Sequence, residues 1–329
     1  MKPLVSILIP AYNAERWIAE TIRSALGQTW PRKEIIVIDD GSTDITLSLA
    51  RRFASKNVAV VTQPNQGASA ARNKAYSLSH GDYIQWLDAD DLLAPDKIAQ
   101  QMEAAEQCHS KRTLFSSAWG YFMYRLSTAK FSPTPLWCDL TPTEWLFRKM
   151  SQNLHMQTDT WLVSRELTEA AGPWDTRLWR DNDGEYFCRV VLASDGIRFT
   201  PGAKSYYRRS GSSSVSYVGK SQKKLESLFL SMQLHIRYLR SLEDTERTRA
   251  ACVKYLQTWL DNFYPERPDI VARLEQLAVS LGGKLEIPRL SWKYAWIQKL
   301  FGWTAAKRTR LALCGCKEDL LRFWDKVAS

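Results

Sequence analysis

The sequence predicts a doubly wound α/β domain followed by a basic helical extension. Three observations carry that prediction. Apolar runs alternate with amphipathic stretches through the first hundred residues, three of those runs end in polar or acidic clusters, and beyond residue 215 only helical periodicity remains. At 329 residues the chain exceeds one average domain and can bury a large core. The expected division is 1–215 for the α/β domain and 216–329 for the extension.

Residues 5–9 are a continuous apolar run, the mark of a buried strand. The run is too short, and lacks the small-residue cleavage site, to be a signal peptide. Residues 15–26 carry Trp17, Ile18, Ile22 and Leu26 at helical spacing, and 34–38 form a second strand that ends in Asp39-Asp40-Gly41-Ser42-Thr43-Asp44. A helix over 46–53, a strand over 57–62, a small-residue helix over 68–79 and a strand over 83–87 complete the alternation. Such a sheet is parallel, and ligands bind at the carboxyl ends of its strands. That rule gathers residues 10–13, 39–44 and 88–91 onto one rim. Further on, 114–124 and 161–163 read as strands, 165–171 as a helix stopped by Gly172-Pro173, and 183–193 as a helix. Residues 197–200 and 204–208 read as two more strands, before a flexible junction at 211–214.

The extension shows helical stripes over 223–242, 245–263 and 269–281, the last two divided by Pro265 and Pro268. Its end combines Trp292, Trp296, Leu300, Phe301 and Trp303 with Lys293, Lys299, Lys307, Arg308 and Arg310. Such a segment suits a membrane interface or packing of its tryptophans against the catalytic domain, and packing is the expectation. Charge is uneven: residues 1–110 hold 11 Lys/Arg against 13 Asp/Glu, whereas 204–329 hold 23 against 12. The basic third suggests an anionic lipid surface or a polyanion, with an ordinary solvated helix surface as the alternative. No window approaches the roughly 18 consecutive apolar residues of a membrane span. Six scattered cysteines without framework or zinc spacing suit unpaired thiols in a reducing compartment.

The most informative stretch is Trp86-Leu87-Asp88-Ala89-Asp90-Asp91, where an apolar strand ends in three carboxylates. Like charges this close resist burial unless a cation compensates, which makes the strand end a natural site for Mg²⁺ or another divalent cation with oxygen ligands. A solvated acidic turn before the helix that Pro95 opens is the alternative. Together with Val5-Ser6-Ile7-Leu8-Ile9-Pro10-Ala11-Tyr12-Asn13, Ile38-Asp39-Asp40-Gly41-Ser42-Thr43-Asp44 and Asn65-Gln66-Gly67-Ala68-Ser69-Ala70-Ala71-Arg72-Asn73, it forms an ordered series. In that series the chain resembles the inverting glycosyltransferases of family 2, over roughly residues 3–215. The resemblance implies a GT-A fold, a mixed doubly wound sheet, and transfer of a sugar from a nucleotide-diphosphate donor, by family habit a UDP-sugar.

The resemblance also implies roles. Pro10, Ala11 and Tyr12 would line the nucleobase, Asp40 would hydrogen-bond it with Asp39 as neighbour, and Arg72 would lie near base and diphosphate. Asp90 and Asp88 would form the Asp-x-Asp motif that holds Mn²⁺ or Mg²⁺, Asp88 also lying near the ribose, with Asp91 supporting them from the helix side. Asp183 would be the base that takes the acceptor proton, with Asp181 and Glu185 as fallbacks; an N-cap role predicts the same residue type there. The family often carries Tyr-Arg-x-His near the domain end, where this chain reads Tyr207-Arg208-Arg209-Ser210. The histidine is absent, and Arg208 and Arg209 are the residues available to contact the diphosphate instead.

The expected partners are thus a nucleotide-diphospho-sugar, a glycan or lipid-linked glycan acceptor and an anionic membrane surface, with no nucleic acid. The expected location is cytoplasmic, peripheral at the inner face of the membrane. A non-catalytic nucleotide-sugar-binding scaffold of the same fold is the alternative, supported by the missing histidine. A dinucleotide-binding oxidoreductase is disfavoured because no G-x-G-x-x-G follows the first strand.

Overall fold

Apolar strands that alternate with amphipathic helices build two sheets and a helical layer. The computed structural model describes residues 2–108, 110–210 and 221–327; the junction expected at 211–214 and the boundary expected between 215 and 216 lie outside them. In chain order the first half runs β1 (Val5–Ala11), α1 (Ile18–Leu26), β2 (Lys33–Asp39), α2 (Thr46–Arg51), β3 (Val58–Thr62), α3 (Ala68–Ser77), β4 (Tyr83–Trp86), β5 (Leu92–Leu93) and α4 (Lys97–Glu106). Then follow β6 (Thr113–Phe122), β7 (Lys130–Phe131), α5 (Pro142–Gln152), β8 (Val163–Ser164), α6 (Arg165–Ala171), α7 (Asn182–Ala193) and β9 (Gly196–Arg208). The extension contributes α8 (Gln222–Leu242), α9 (Glu246–Trp259), α10 (Pro268–Ser280) and α11 (Ala295–Val327).

The main sheet has the order β3-β2-β1-β4-β8, parallel except for β8. Register sets Ala11 opposite Asp39 and Leu8 opposite Trp86, so three strands deliver their carboxyl ends to one rim. The second sheet has the order β5-β9-β6-β7, with β6 and β9 parallel. The two strands expected over 197–200 and 204–208 are one strand, β9, with an irregularity between the pairs Ser117–Thr200 and Ala118–Lys204. Pro201-Gly202 imitates a turn in sequence, yet here it bulges out and pairing with β6 resumes. The strand expected over 161–163 is shifted to Val163–Ser164, while Leu162 makes only a bridge to Phe115.

Trp86 closes β4 and is fully buried, edge-on to Trp174 at 5.2 Å and to Tyr186 at 5.8 Å between ring centroids. Trp174 stacks on Tyr186 at 3.9 Å and 8°. Truncating one buried aromatic of this kind costs about 3–5 kcal/mol. The same apolar cluster continues through Val190 and Val191 of α7 into Leu228, Met232 and Leu239 of α8, and on to Leu256 of α9. The extension therefore shares a core with the α/β layer.

Helix α11 bends at Gly302, whose φ of 81° a residue with a Cβ rarely adopts. Lys307 anchors it by donating to the carbonyls of Asp261 (2.6 Å) and Tyr264 (2.7 Å) and to Glu266 Oε2 (2.8 Å). Arg125 pairs with Asp325 at 3.0 Å near its end. The expected packing of these tryptophans against the α/β domain is not what Trp303 does: it meets Tyr264 edge-on at 4.9 Å and donates to the Pro288 carbonyl, both within the extension. Trp292 and Trp296 are 80% and 60% exposed, since the segment that carries them reaches no other part of the core. The six cysteines are free, and no helix among the described residues is long and apolar enough to cross a membrane.

His235 lies fully buried on α8, its Nδ1 within 2.9 Å of the Tyr255 hydroxyl, and desolvation lowers its pKa from 6.5 to about 3. The unfolded chain therefore binds one more proton than the folded one across that window, and stability falls as pH drops through it. Denaturant titrations from pH 6.5 downward should show stability lost at up to about 1.4 kcal/mol per pH unit from this group. The slope should be correspondingly shallower in His235→Phe.

Candidate active site

The rim is assembled by backbone ties between strand ends. Asp40 N–H donates to the Ala11 carbonyl at 2.8 Å, holding the start of the 40–45 loop against the end of β1. Asn13, at φ 48°, accepts from Thr43 N through Oδ1 at 2.8 Å and donates its own N–H to Ser42 Oγ at 3.0 Å. Gly41 is required where it stands: φ is 70°, and a Cβ would lie 2.8 Å from Asn65 N. Pro10, Ala11 and Tyr12 border the resulting shelf, where the Tyr12 ring is 49% exposed.

Asp40 is buried and organises the loop that opens α3. Its Oδ1 accepts from Gln63 Nε2 (2.7 Å) and Gln66 N (3.0 Å), and its Oδ2 from Gly67 N (2.8 Å). Asp39 accepts from Thr62 Oγ1 at 2.9 Å, which leaves its buried Oδ1 with no partner. Of the two carboxylates, Asp40 is thus the more engaged by protein, and Asp39 keeps an open acceptor.

Arg72 projects from α3 into the acidic loop. Its Nη2 donates to Asp88 Oδ1 at 2.6 Å, and its guanidinium lies 4.3 Å from the Trp174 ring. The Nε and Nη1 of this buried side chain have no partner, an arrangement that suits an incoming anion with more than one oxygen. Sequence reasoning missed the support beneath it. Asn73 grips the Trp174 backbone in both directions, accepting at 2.8 Å and donating at 2.9 Å. The only signal for that grip was the adjacency of Asn73 to Arg72.

The three carboxylates of the β4–β5 loop have different surroundings. Asp91 is buried, and its Oδ1 accepts from Arg208 N at 2.7 Å; desolvation, then the charges of its acidic neighbours, push its carboxyl well up. Asp88 is paired with Arg72. Burial pushes the Asp90 carboxyl up to about 6, opposed by a hydrogen bond from Ser210, while Asp88 adds to the rise. Ser210 therefore reaches Asp90 from the position where the family motif has histidine.

The oxygen donors of Asp88 and Asp90 fit a hard divalent cation, which would relieve their mutual repulsion. No group of three or more His, Cys, Asp and Glu suited to a metal occurs among the described residues, so phosphate and water oxygens would have to supply the rest of its shell.

Arg208 does not face the diphosphate as expected. Its guanidinium is buried between the rings of Trp17 (4.2 Å) and Phe122 (4.3 Å). It donates to the Asp90 carbonyl (2.8 Å), the Met123 carbonyl (3.1 Å) and Glu20 Oε2 (2.6 Å). Alternation along β9 sends it to the sheet face opposite Tyr207, where it clamps the acidic loop from behind. Arg209 lies on the other face, over the Tyr121 ring at 4.0 Å.

At the start of α7 the fallback bases are already engaged. Asp181 accepts from Ser231 Oγ at 2.8 Å, and Glu185 is paired with Arg189 (2.7 Å) while accepting from Tyr238 OH (2.7 Å). The half-buried carboxylate of Asp183 has no hydrogen-bond partner among the described residues. The Tyr207 phenol registers the convergence: burial and then the charges of Asp91, Asp90, Asp183 and Asp88 all raise its pKa. Tyr207 thus lies within the electrostatic reach of both the acidic loop and Asp183.

Residues 6–164 match the model of glycosyl transferase family 2. An uncharacterized glycosyltransferase of Haemophilus influenzae is 42% identical over 110 residues, which is 32% of this chain and 44% of that protein. The chondroitin synthase of Escherichia coli is 44% identical over 98 residues, 29% of this chain and 14% of the synthase. The chain thus spans less than half the length of these relatives. The structure of S. aureus TarS 1-349 in complex with UDP-GlcNAc superposes with a TM-score of 0.61 at 18% identity, covering 84% of this chain and 89% of that one. At this identity the likeness establishes the architecture, which is GT-A. Residues 6–164 of the chain accordingly belong to glycosyl transferase family 2, and they do so on a GT-A fold.

Proposed function

We propose that the chain is an inverting, metal-dependent glycosyltransferase that moves a sugar from a UDP-sugar to a hydroxyl of a glycan or lipid-linked glycan. The observation that carries this reading is the pairing of two buried, unpartnered Arg72 donors beside Asp88 with an Asp183 carboxylate that has no hydrogen-bond partner among the described residues. The TarS structures hold UDP and UDP-GlcNAc, and chondroitin and hyaluronan synthases are among the relatives, which supports a nucleotide-sugar donor and polysaccharide synthesis.

In this reading Pro10, Ala11 and Tyr12 cradle the base, Asp40 and its neighbour Asp39 offer it acceptors, and Arg72 takes the diphosphate. Asp90 and Asp88, with the donor's phosphates, would hold Mn²⁺ or Mg²⁺, which would neutralise the charge that develops on the leaving diphosphate. Asp183 stands in the first turn of α7. It accepts the proton of the acceptor hydroxyl as the oxygen bonds to the anomeric carbon and the carbon–oxygen bond to the diphosphate breaks. One displacement inverts the anomeric configuration. Asp183→Asn should lower transfer by about 10²–10⁴-fold with the UDP-induced thermal shift retained. Asp90→Ala should lose transfer together with the metal-dependent part of that shift. Full activity in both variants overturns the site assignment, and donor binding without turnover in the unmodified protein returns the scaffold alternative.

The extension supports a second element of the reading, attachment to an anionic bilayer at the inner membrane face. Trp292, Trp296, Leu300 and Phe301 are exposed beside Lys293 and Lys299, the amphipathic and basic composition of an interfacial segment. Co-sedimentation with phosphatidylcholine/phosphatidylglycerol vesicles should fall sharply in Trp292→Ala/Trp296→Ala and with added salt. Absence of binding by the intact protein overturns it.

A further inference from the structure

The β6–β9 pair carries aromatic residues on both faces, and an arginine lies over one ring on each, Arg208 over Phe122 and Arg209 over Tyr121. On one face Phe122 and Tyr206 meet each other, Tyr206 meets Phe131, and Arg208 covers Phe122. On the other, register puts Trp119 opposite Ser205 and Tyr121 opposite Tyr207, so Trp119, Tyr121 and Tyr207 share a surface. These three rings are only half-buried. Trp119 meets Tyr207 edge-on at 6.3 Å, and from α5's far end the exposed His155 ring approaches Trp119 to 5.4 Å.

This open wall is next to the chemistry. Tyr207 lies within the field of Asp183 and of the three acidic-loop carboxylates, and His155 lies within that of Asp183 and Asp181. The His155 imidazole is nonetheless pushed toward its neutral form, by desolvation first and by the Lys149 charge second. A neutral imidazole both donates and accepts, which suits a hydroxyl-rich ligand. Tyr207 and His155, which both lie within the field of Asp183, each approach Trp119, which sets the indole near the base.

We propose that Trp119, flanked by Tyr207 and His155, is the acceptor subsite, and that it takes a pyranose ring by stacking the ring's C–H face on the indole. The inference rests on the transferase reading above and adds to it the side chains that orient the acceptor sugar. An aromatic platform offers a large, rigid apolar area with a negative face to the polarised C–H groups of a sugar. A ring held there presents its hydroxyls toward Asp183, from the side of the cleft opposite Arg72.

Saturation-transfer NMR with methyl β-glucoside, methyl β-galactoside and methyl β-N-acetylglucosaminide, in the presence of UDP and Mg²⁺, tests the wall directly. At least one glycoside should receive saturation at its ring C–H protons. Trp119→Ala should weaken that binding about tenfold or more, and Trp119→Phe should keep most of it. His155→Ala, at an exposed position that the fold does not need, should weaken it as well, which keeps the test open if Trp119→Ala unfolds. The UDP-induced thermal shift should be the same in all of these proteins. Absence of glycoside binding by the unmodified protein, or unchanged binding in Trp119→Ala and His155→Ala, overturns the subsite. A missing UDP shift in the unmodified protein instead overturns the donor reading and leaves the glycoside result to stand by itself.

Discussion

Three carboxylates packed into four residues at the end of one strand are the constraint on which the site depends. Asp88, Asp90 and Asp91 repel one another, and two of them are largely withdrawn from water. Two arginines hold the loop from opposite sides. Arg72 engages Asp88 from α3, and Arg208 grips the Asp90 carbonyl and, through its backbone N–H, the Asp91 side chain from β9. Removing Asp88 would leave the buried Arg72 guanidinium without its counter-charge, the damaging way to break such a pair. What remains after these commitments is Asp90, touched by Ser210 and otherwise poised for a cation.

A second device keeps the two halves of the cleft in register. Trp174 lies under the Arg72 guanidinium, is held by Asn73, and stacks on Tyr186 in the helix that carries Asp183. The group suited to the diphosphate and the group suited to the acceptor proton are thus referred to one aromatic stack. Below it, Lys97 and Asp159 are buried together, with desolvation driving the lysine down and the carboxyl up, so the interior beneath the acidic loop tends toward neutrality.

Much of this was legible beforehand because it depends on local periodicity. The apolar runs ended where β1, β2 and β4 end, and the parallel-sheet rule alone brought Tyr12, Asp40 and Asp88–Asp91 to one rim. Misreadings arose where a local signal had two outcomes. Residues 197–200 and 204–208 looked like two strands and proved to be one, β9, with an irregularity between them, and adjacent arginines at 208 and 209 looked equivalent although strand alternation sends them to opposite faces. The tryptophans of the extension carried no signal for packing or exposure, since the partner of Trp303 lies on a different segment.

By itself the sequence determined the α/β order, the acidic strand end and the short list of carboxylates at the start of α7, since spacing and residue type are properties of contiguous chain. Only the tertiary structure showed which of Asp181, Asp183 and Glu185 other side chains engage. The groups that occupy Asp181 and Glu185 come from α8, 50 and 53 positions further along the chain. No pattern local to α7 announces that Ser231 and Tyr238 will reach across to it, and their arrival is what leaves Asp183 open to a substrate.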